Sequence, residues 1–197
     1  MAEGTGPASR LASMRLPKRK NIADINTAYR SSPLYVVICS VLTMAIIGVF
    51  AVWAAEPFVF PSLAPTLFIL FAFPLAQEAN PRNAINAHLI GLLAGIAALF
   101  VFGLVDVAPD VTDLDWHRLG AILFALALAI GLIMGLRVLH IPGVATALIV
   151  AMGLLAAPAD WAFMFVGVIL VILVAVTINR VAGIPHPVWK GPSNEKE

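Results

Sequence analysis

The chain has 197 residues, of which 61% are apolar and 12% are charged, and its mean hydropathy is +0.97. A soluble domain is closer to half apolar and a quarter charged, so this composition indicates a protein of the lipid bilayer. Twelve Lys and Arg against eleven Asp and Glu leave a net charge of +1, which excludes a strongly basic surface for nucleic acid. The single cysteine, Cys39, excludes an internal disulfide and a cysteine-ligated metal site.

The basic residues of the N-terminal segment indicate its side of the membrane. Residues 1–33 contain six Lys or Arg and two Asp or Glu, so the positive-inside rule places this segment in the cytoplasm. The same rule places the tail, residues 181–197, on the same side. We therefore expect a multi-pass protein of the cell (inner) membrane with both termini in the cytoplasm. Within the first segment, residues 21–30 are predicted to form a short interfacial helix.

Four stretches without Asp, Glu, Lys or Arg have the length of a membrane-spanning helix. A helix needs about 20 residues to cross a hydrocarbon core of roughly 30 Å, and its backbone must be paired internally. No stretch alternates apolar and polar residues as a membrane β-strand does. The sequence therefore predicts an all-α polytopic fold with ordinary spans at Leu34–Ala54, Ala84–Val105, Leu119–Leu136 and Trp161–Ile178.

Two further apolar stretches contain prolines, which remove a backbone donor and clash inside a helix. The unbroken helix of the first is Ser62–Phe73, about 18 Å long at ~1.5 Å per residue. The second stretch, Pro142–Pro158, is bounded by prolines and opens with Gly143, which gives a helix roughly 22 Å long by the same rise. Neither spans the core comfortably, so both are interpreted as broken or re-entrant helices. The alternative is that the prolines only kink helices packed within the protein.

The two irregular stretches occupy equivalent places in the two halves of the chain. An ungapped shift of 81 residues lays the first half on the second, with Pro61 on Pro142. We therefore predict one transmembrane domain, residues 34–180, made of three-element repeats at about 34–105 and 115–180. Three crossings per repeat would invert the second repeat relative to the first, which is an architecture of secondary transporters.

The first turns of the two short helices are the predicted binding site. A helix that begins within the membrane has free N–H groups and the positive end of its dipole at its first turn. Such an end attracts an anion where it lines a polar cavity. Small or hydroxylated residues here allow a ligand to approach, and the predicted solute-binding residues are Ser62, Ala64, Thr66, Gly143 and Thr146.

Three polar residues near these turns complete the predicted solute-binding set. Asn83 and His88 lie in the first turns of a predicted span, where polar side chains are candidates for function. His88 has two interpretations, which are lining a polar cavity and hydrogen bonding between helices. His140 directly precedes the second short helix, where it is able to donate a hydrogen bond or a proton.

Arg82 and Arg137 are predicted to raise the local anion concentration on the cytoplasmic side. Their alternative roles are a membrane anchor for Arg82 and a cation at a helix C-terminus for Arg137. His117 and His186 lie in a predicted loop and in the tail, and we expect both to be solvated. The sequence predicts no metal site, no cofactor and no catalytic residue.

Small residues also line two predicted helix faces, at Gly91 and Gly95 and at Ala127, Gly131 and Gly135. Such faces permit close helix crossing, either within the chain or between the subunits of a homo-oligomer. They support a competing hypothesis, in which the protein is a non-transporting membrane scaffold or assembly protein.

Three motifs occur at Pro61–Thr66 (P-S-L-A-P-T), at Pro81–His88 (P-R-N followed by His) and at His140–Leu148 (H-I-P-G-V-A-T-A-L). In order and spacing they resemble the HPP family of integral membrane proteins, over about residues 34–178. The chain departs from the family motifs at four positions. Ala64 stands where the family has a glycine, Asn86 and Ala87 stand where it has two glycines, and Ile141 stands where the namesake motif has its middle proline.

The resemblance implies a polytopic protein of four or more spans that transports a small solute. Plastid and cyanobacterial members of the family are linked to nitrite, and the family carries no established catalytic residues. Together with the helix-end argument, this predicts a transporter or channel for a small monovalent anion such as nitrite.

Overall fold

The computed structural model describes residues 31–109, 114–155 and 157–189. This part of the chain is helical and contains no strand, which confirms the predicted all-α fold. The predicted interfacial helix at residues 21–30 lies outside the described residues. The helices are α1 (Pro33–Ala54), α2 (Leu63–Ala72), α3 (Pro81–Val101), α4 (Trp116–Gly135), α5 (Pro142–Ala151) and α6 (Pro158–Val181), with a 3-10 turn at Gln77–Ala79.

Four of these helices, α1, α3, α4 and α6, are long and apolar enough to cross a membrane. They coincide with the four predicted spans. The helices α2 and α5 have 10 residues each, or about 15 Å, so neither crosses the hydrocarbon core alone. Helix α5 is shorter than predicted because Gly153 adopts φ +76°, and the next amide, of Leu154, bonds back to the carbonyl oxygen of Ile149.

Prolines start helices in this protein more often than they interrupt them. Four helices have proline as their first residue, where its missing N–H has no partner to lose and its φ is already helical. Two helix starts, that of α1 and that of α4, are capped by side chains, since Ser32 accepts from the Tyr35 amide at 3.3 Å and Asp115 from the Arg118 amide at 2.7 Å. The helix-starting prolines are Pro33, Pro81, Pro142 and Pro158.

The six helices pack as two blocks of three. Helices α1, α2 and α6 contact one another and form the first block, and α3, α4 and α5 form the second. Between the blocks, α3 lies against α6 and α2 touches α5. Exchanging α1, α2 and α3 for α4, α5 and α6 leaves this set of contacts unchanged. Each block therefore combines two consecutive helices from one half of the chain with one helix from the other half.

Glycines bring the backbones of α3 and α5 into direct contact within the second block. Gly91 lies against the carbonyl group of Gly143, and Gly95 lies against the side chain of Val150. Gly143 in turn lies against the carbonyl group of Ala87. A side chain at these glycine positions would hold the two helices apart.

We expect Gly91→Ala to destabilise the protein, because the added Cβ would overlap the carbonyl oxygen of Gly143. Overpacking of this kind costs about 1–3 kcal/mol. Gly131→Ala on α4 is the matched control, since nothing lies within 4 Å of its added Cβ. Thermal unfolding in detergent, followed by circular dichroism, compares the two variants. Equal midpoints would contradict the close packing of α3 on α5.

Candidate functional site

Four buried polar side chains meet at the boundary between the two blocks. Thr66 of α2 belongs to the first block, whereas His88 of α3, His140 before α5 and Thr146 of α5 belong to the second. Each of the four side chains is 0% exposed. We call this group the histidine centre. All four residues are among the predicted solute-binding residues, so the structure brings half of that set together.

Hydrogen bonds connect the histidine centre in a single chain. The Thr66 hydroxyl lies 2.9 Å from Nε2 of His88 and 3.2 Å from Nε2 of His140. Nδ1 of His88 lies 2.7 Å from the Thr146 hydroxyl, and Nδ1 of His140 lies 2.7 Å from the Glu78 carbonyl oxygen. The two imidazole centroids are 5.2 Å apart. His88 therefore bridges the two short helices, as its hydrogen-bonding interpretation predicts.

Local helix geometry positions these side chains. Thr66 and Thr146 lie about one turn inside their short helices, each near the carbonyl oxygen four residues earlier, at 2.9 Å and 3.5 Å respectively. Gly91 comes three residues after His88 and so shares its face of α3. Because α5 packs closely at Gly91, the imidazole of His88 reaches Thr146.

The first turns of the short helices do not offer the free N–H groups that the sequence analysis expected. At α5, the amide of Gly143 donates to the carbonyl oxygen of His140, and the next amide donates to that of Ile141. At α2, the amides of Leu63 and Ala64 donate to the two carbonyl oxygens three residues earlier. In this conformation a tight 3-10-like turn satisfies these donors, so an anion has no unpaired amide among them.

Ser62 differs from the other residues of these turns. Its side chain is 0% exposed, and its hydroxyl has no hydrogen-bond partner among the described residues. An unsatisfied buried hydroxyl destabilises the form of the protein that contains it. A conformation that opens the start of α2 would therefore allow the Ser62 hydroxyl to form a hydrogen bond that it lacks here.

Four other predicted site residues lie away from the histidine centre. The side chain of Asn83 donates to the carbonyl oxygen of Gln77 at 3.0 Å and so holds the start of α3 against the 3-10 turn. Ala64 is exposed on the outside of α2. Arg82 is half-buried, and Arg137 is exposed with φ +54° in the turn after α4.

A second group of buried side chains, which we call the asparagine cluster, lies within the first block and the tail. Asn179 of α6 accepts from the Tyr35 hydroxyl at 2.8 Å and donates to the Leu70 carbonyl oxygen at 2.9 Å. Its amide nitrogen also lies 2.8 Å from Nδ1 of His186, whose Nε2 lies 2.9 Å from the Ala79 carbonyl oxygen. His186 is 0% exposed, so the expectation that it is solvated was wrong.

Arg118 is also buried, although it opens a span from a loop. Its guanidinium donates to the carbonyl oxygens of Val107, Ala108 and Ala151, at 3.1 Å, 3.3 Å and 3.3 Å. It therefore closes the C-terminal end of α5, where helical carbonyl groups lack partners. Its backbone amide holds the pKa of the Asp115 carboxyl below its ordinary value.

The comparisons with known proteins agree with this architecture. The family described as the HPP transmembrane region matches residues 26–187. The chain belongs to the HPP family of membrane proteins. A protein of Dictyostelium discoideum described as a transmembrane protein is 31% identical over 125 residues, which cover 61% of this chain and 41% of the relative. The chain thus spans less than half the length of that relative, and no solved structure matches it.

The backbone of this HPP protein at Ile141, where it departs from the namesake motif, has a φ that proline also adopts. Ile141 has φ −53°, within the range that proline fixes, and its side chain is 74% exposed. His140 is held by its own bonds to Glu78 and Thr66 rather than by a following proline. Among the described residues, no group of three or more His, Cys, Asp or Glu is placed to hold a metal ion.

We expect the protein to lose stability as the pH falls below about 6.5, the ordinary pKa of histidine. Burial lowers the pKa of His186, so the folded protein binds fewer protons there than the unfolded chain does. The stability that this provides is complete above the ordinary pKa and is lost as the pH falls through the folded value. The charged group that touches His186 is Arg180, whose guanidinium donates to its carbonyl oxygen at 3.1 Å.

His186→Gln tests this expectation, because glutamine keeps a donor for the Ala79 carbonyl oxygen and does not titrate. Thermal midpoints in detergent at about pH 7.5 and about pH 5.5 should differ less for the variant than for the wild type. Equal differences would show that His186 does not contribute.

Proposed function

We propose that this HPP protein transports a small monovalent anion, with nitrite as the first candidate, and that the histidine centre is its solute-responsive site. The observation that carries the proposal is a fully buried group of two histidines and two threonines between two helix blocks of a membrane protein. The wider set of predicted solute-binding residues remains a prediction.

The cost of burying polar groups supports a functional site. Imidazoles and hydroxyls lose their hydration in an apolar bundle, and their burial is costly unless hydrogen bonds replace it. An apolar pair at His88 and His140 would fill the same volume without that requirement. Their presence between two short helices favours a role in recognising a polar solute or moving a proton.

The two-block packing supports movement around this site. The contacts between blocks are those of α3 with α6 and of α2 with α5, fewer than the contacts within each block. Blocks that exchange a helix between inverted repeats are able to rock against each other around a fixed central site. The contact pattern, which is unchanged when the halves are exchanged, supports such a repeat.

Access to the centre requires a change from this closed form, and the first block contains a groove beside α2. This groove, of about 400 Å³, lies between parts of α1 and α2, with Ser31, Ser40 and Ala64 in its lining. The hydroxyls of Ser31 and Ser40, like that of Ser62, have no hydrogen-bond partner among the described residues. Movement of α2 toward this groove would separate Thr66 from the two histidines.

The scaffold hypothesis depends on small-residue faces that are free to bind another chain. Gly91 and Gly95 are already occupied by α5 within the chain. Gly131 and Gly135 are exposed, with nothing within 4 Å of an added Cβ. The scaffold hypothesis therefore predicts that Gly135→Leu abolishes function and that substitutions in the histidine centre do not.

Anion uptake into proteoliposomes tests the proposal, with nitrite, nitrate, formate and chloride as substrates and protein-free vesicles as the baseline. We expect uptake above the baseline for at least one anion, and about tenfold less in Thr146→Val, the loss expected from one ~1.4 kcal/mol contact. Nitrite also enters as nitrous acid, so the protein-free baseline matters most for that anion. Uptake equal to the baseline for all four anions would refute the proposal.

Thr43→Val is the matched control for this substitution. Thr43 is also 0% exposed and also bonds to the carbonyl oxygen four residues earlier, that of Cys39, at 2.8 Å. It lies on α1, away from the histidine centre, so its replacement should leave uptake unchanged. Equal losses in Thr43→Val and Thr146→Val would assign the effect to general destabilisation.

A further inference from the structure

The histidine centre has one consistent set of hydrogen bonds when both imidazoles are neutral. A carbonyl oxygen only accepts, so Nδ1 of His140 carries a proton and Nε2 does not. Thr66 therefore donates to Nε2 of His140 and accepts from Nε2–H of His88. Thr146 then donates to Nδ1 of His88. The four hydrogen bonds of this network therefore run in one direction, from the Thr146 hydroxyl to the Glu78 carbonyl oxygen.

An added proton has a second consistent arrangement. When a proton binds to the Thr146 oxygen, the original Thr146 hydroxyl proton moves to Nδ1 of His88. The Nε2 proton of His88 then moves to Thr66, and the Thr66 proton moves to Nε2 of His140. The histidine centre has then gained one proton, each of its hydrogen bonds still has a donor, and His140 has become an imidazolium. The hydroxyl of Thr146 then has the Pro142 carbonyl oxygen, 3.5 Å away, as its acceptor.

The capacity of the centre is one proton. When His88 rather than His140 carries the positive charge, the Thr66 hydroxyl again donates to Nε2 of His140. The charge therefore has two possible positions, one on each ring, and the Thr66 hydroxyl connects them. Two imidazolium rings with centroids 5.2 Å apart would repel each other strongly. The centre therefore alternates between a net charge of zero and a net charge of one.

Among the described residues, no charged side chain bonds to either ring to balance that charge. The hydrogen bonds of the two imidazoles go to two hydroxyls and one backbone carbonyl. Helices α2 and α5 contain no titratable residue. The charged residues on the surrounding elements are Glu78 on the 3-10 turn, Arg82 on α3, Arg118 on α4, Arg137 before His140, and Asp160 and Arg180 on α6.

From the Thr146–His88–Thr66–His140 chain between the blocks, we infer a proton-coupled mechanism in which one proton and one monovalent anion are bound and carried together. This inference rests on the proposed anion transport. A lone positive charge is costly in a closed apolar bundle, and an anion beside it removes most of that cost. By linkage, the proton raises the affinity for the anion and the anion raises the affinity for the proton by the same factor.

Proteoliposomes that contain the full chain and a trapped pH-sensitive dye test the coupling. An inward nitrate or nitrite gradient is applied without a pH gradient, and anion uptake and internal acidification are measured together. We expect one proton per anion above the protein-free baseline. We also expect that a potassium diffusion potential set with valinomycin leaves the rate unchanged, because the proton and the anion together carry no net charge.

Substitutions at Thr66 test the route of the proton. Thr66→Val keeps the shape but removes the shared hydroxyl, and we expect coupled uptake to fall about tenfold. Thr66→Ser restores the hydroxyl and should restore one proton per anion. Thr43→Val is again the control. The ratio of protons to anions is the decisive readout, because destabilisation lowers both fluxes without changing their ratio.

The outcomes separate the coupling from the transport function. Anion uptake that follows the imposed potential without acidification overturns the proton coupling and leaves anion transport intact. Uptake in Thr66→Val that keeps the wild-type ratio of protons to anions, whether or not its rate falls, overturns the role of the histidine centre as the proton site. The absence of uptake for every anion overturns the transport function and the coupling with it.

Discussion

Three consecutive carbonyl oxygens in the 3-10 turn between α2 and α3 each accept a hydrogen bond from a different side chain. Asn83 bonds to the carbonyl oxygen of Gln77, His140 to that of Glu78 and His186 to that of Ala79. Irregular backbone among apolar helices is tolerated only where its polar groups are paired, so the turn depends on these side chains. Because the turn bonds to both the histidine centre and the asparagine cluster, it connects these two groups.

The two blocks share a contact pattern but differ in how tightly they pack. In the second block, Gly91 and Gly143 allow the backbones of α3 and α5 to touch, so that block has little room to rearrange internally. In the first block, a groove lies between parts of α1 and α2, and the hydroxyls of Ser31, Ser40 and Ser62 lack partners among the described residues. The first block is held instead by the hydrogen bonds of Asn179, which accepts from the Tyr35 hydroxyl and donates to the Leu70 carbonyl oxygen. A change of conformation should therefore begin at α2, the helix that carries Thr66.

The sequence was sufficient for features that follow from local patterns. Charge-free stretches and prolines predicted the four spans and both short helices, and polar residues within apolar stretches identified the whole histidine centre. The burial of His186 could not be predicted, because its partner Ala79 lies 107 positions away in the chain. The expectation of free amides at the helix starts failed for a geometric reason. A 3-10-like turn before Gly143 satisfies them, and sequence alone does not distinguish that turn from an open helix end.

The residue at the block boundary is a threonine, which suits a contact that forms and breaks in the proposed transport mechanism. A carboxylate in place of Thr66 would form a buried ion pair with an imidazolium, and breaking such a pair costs about 3–5 kcal/mol. A neutral hydroxyl forms bonds worth about 1 kcal/mol each, so the blocks can separate without leaving a buried charge unpaired. Thr66 also has three acceptors within reach, the Ser62 carbonyl oxygen and the two Nε2 atoms, but only one proton to donate. The acceptor of the Thr66 hydroxyl proton therefore depends on the charge state of the two histidines, and the hydrogen bonds between the blocks change accordingly.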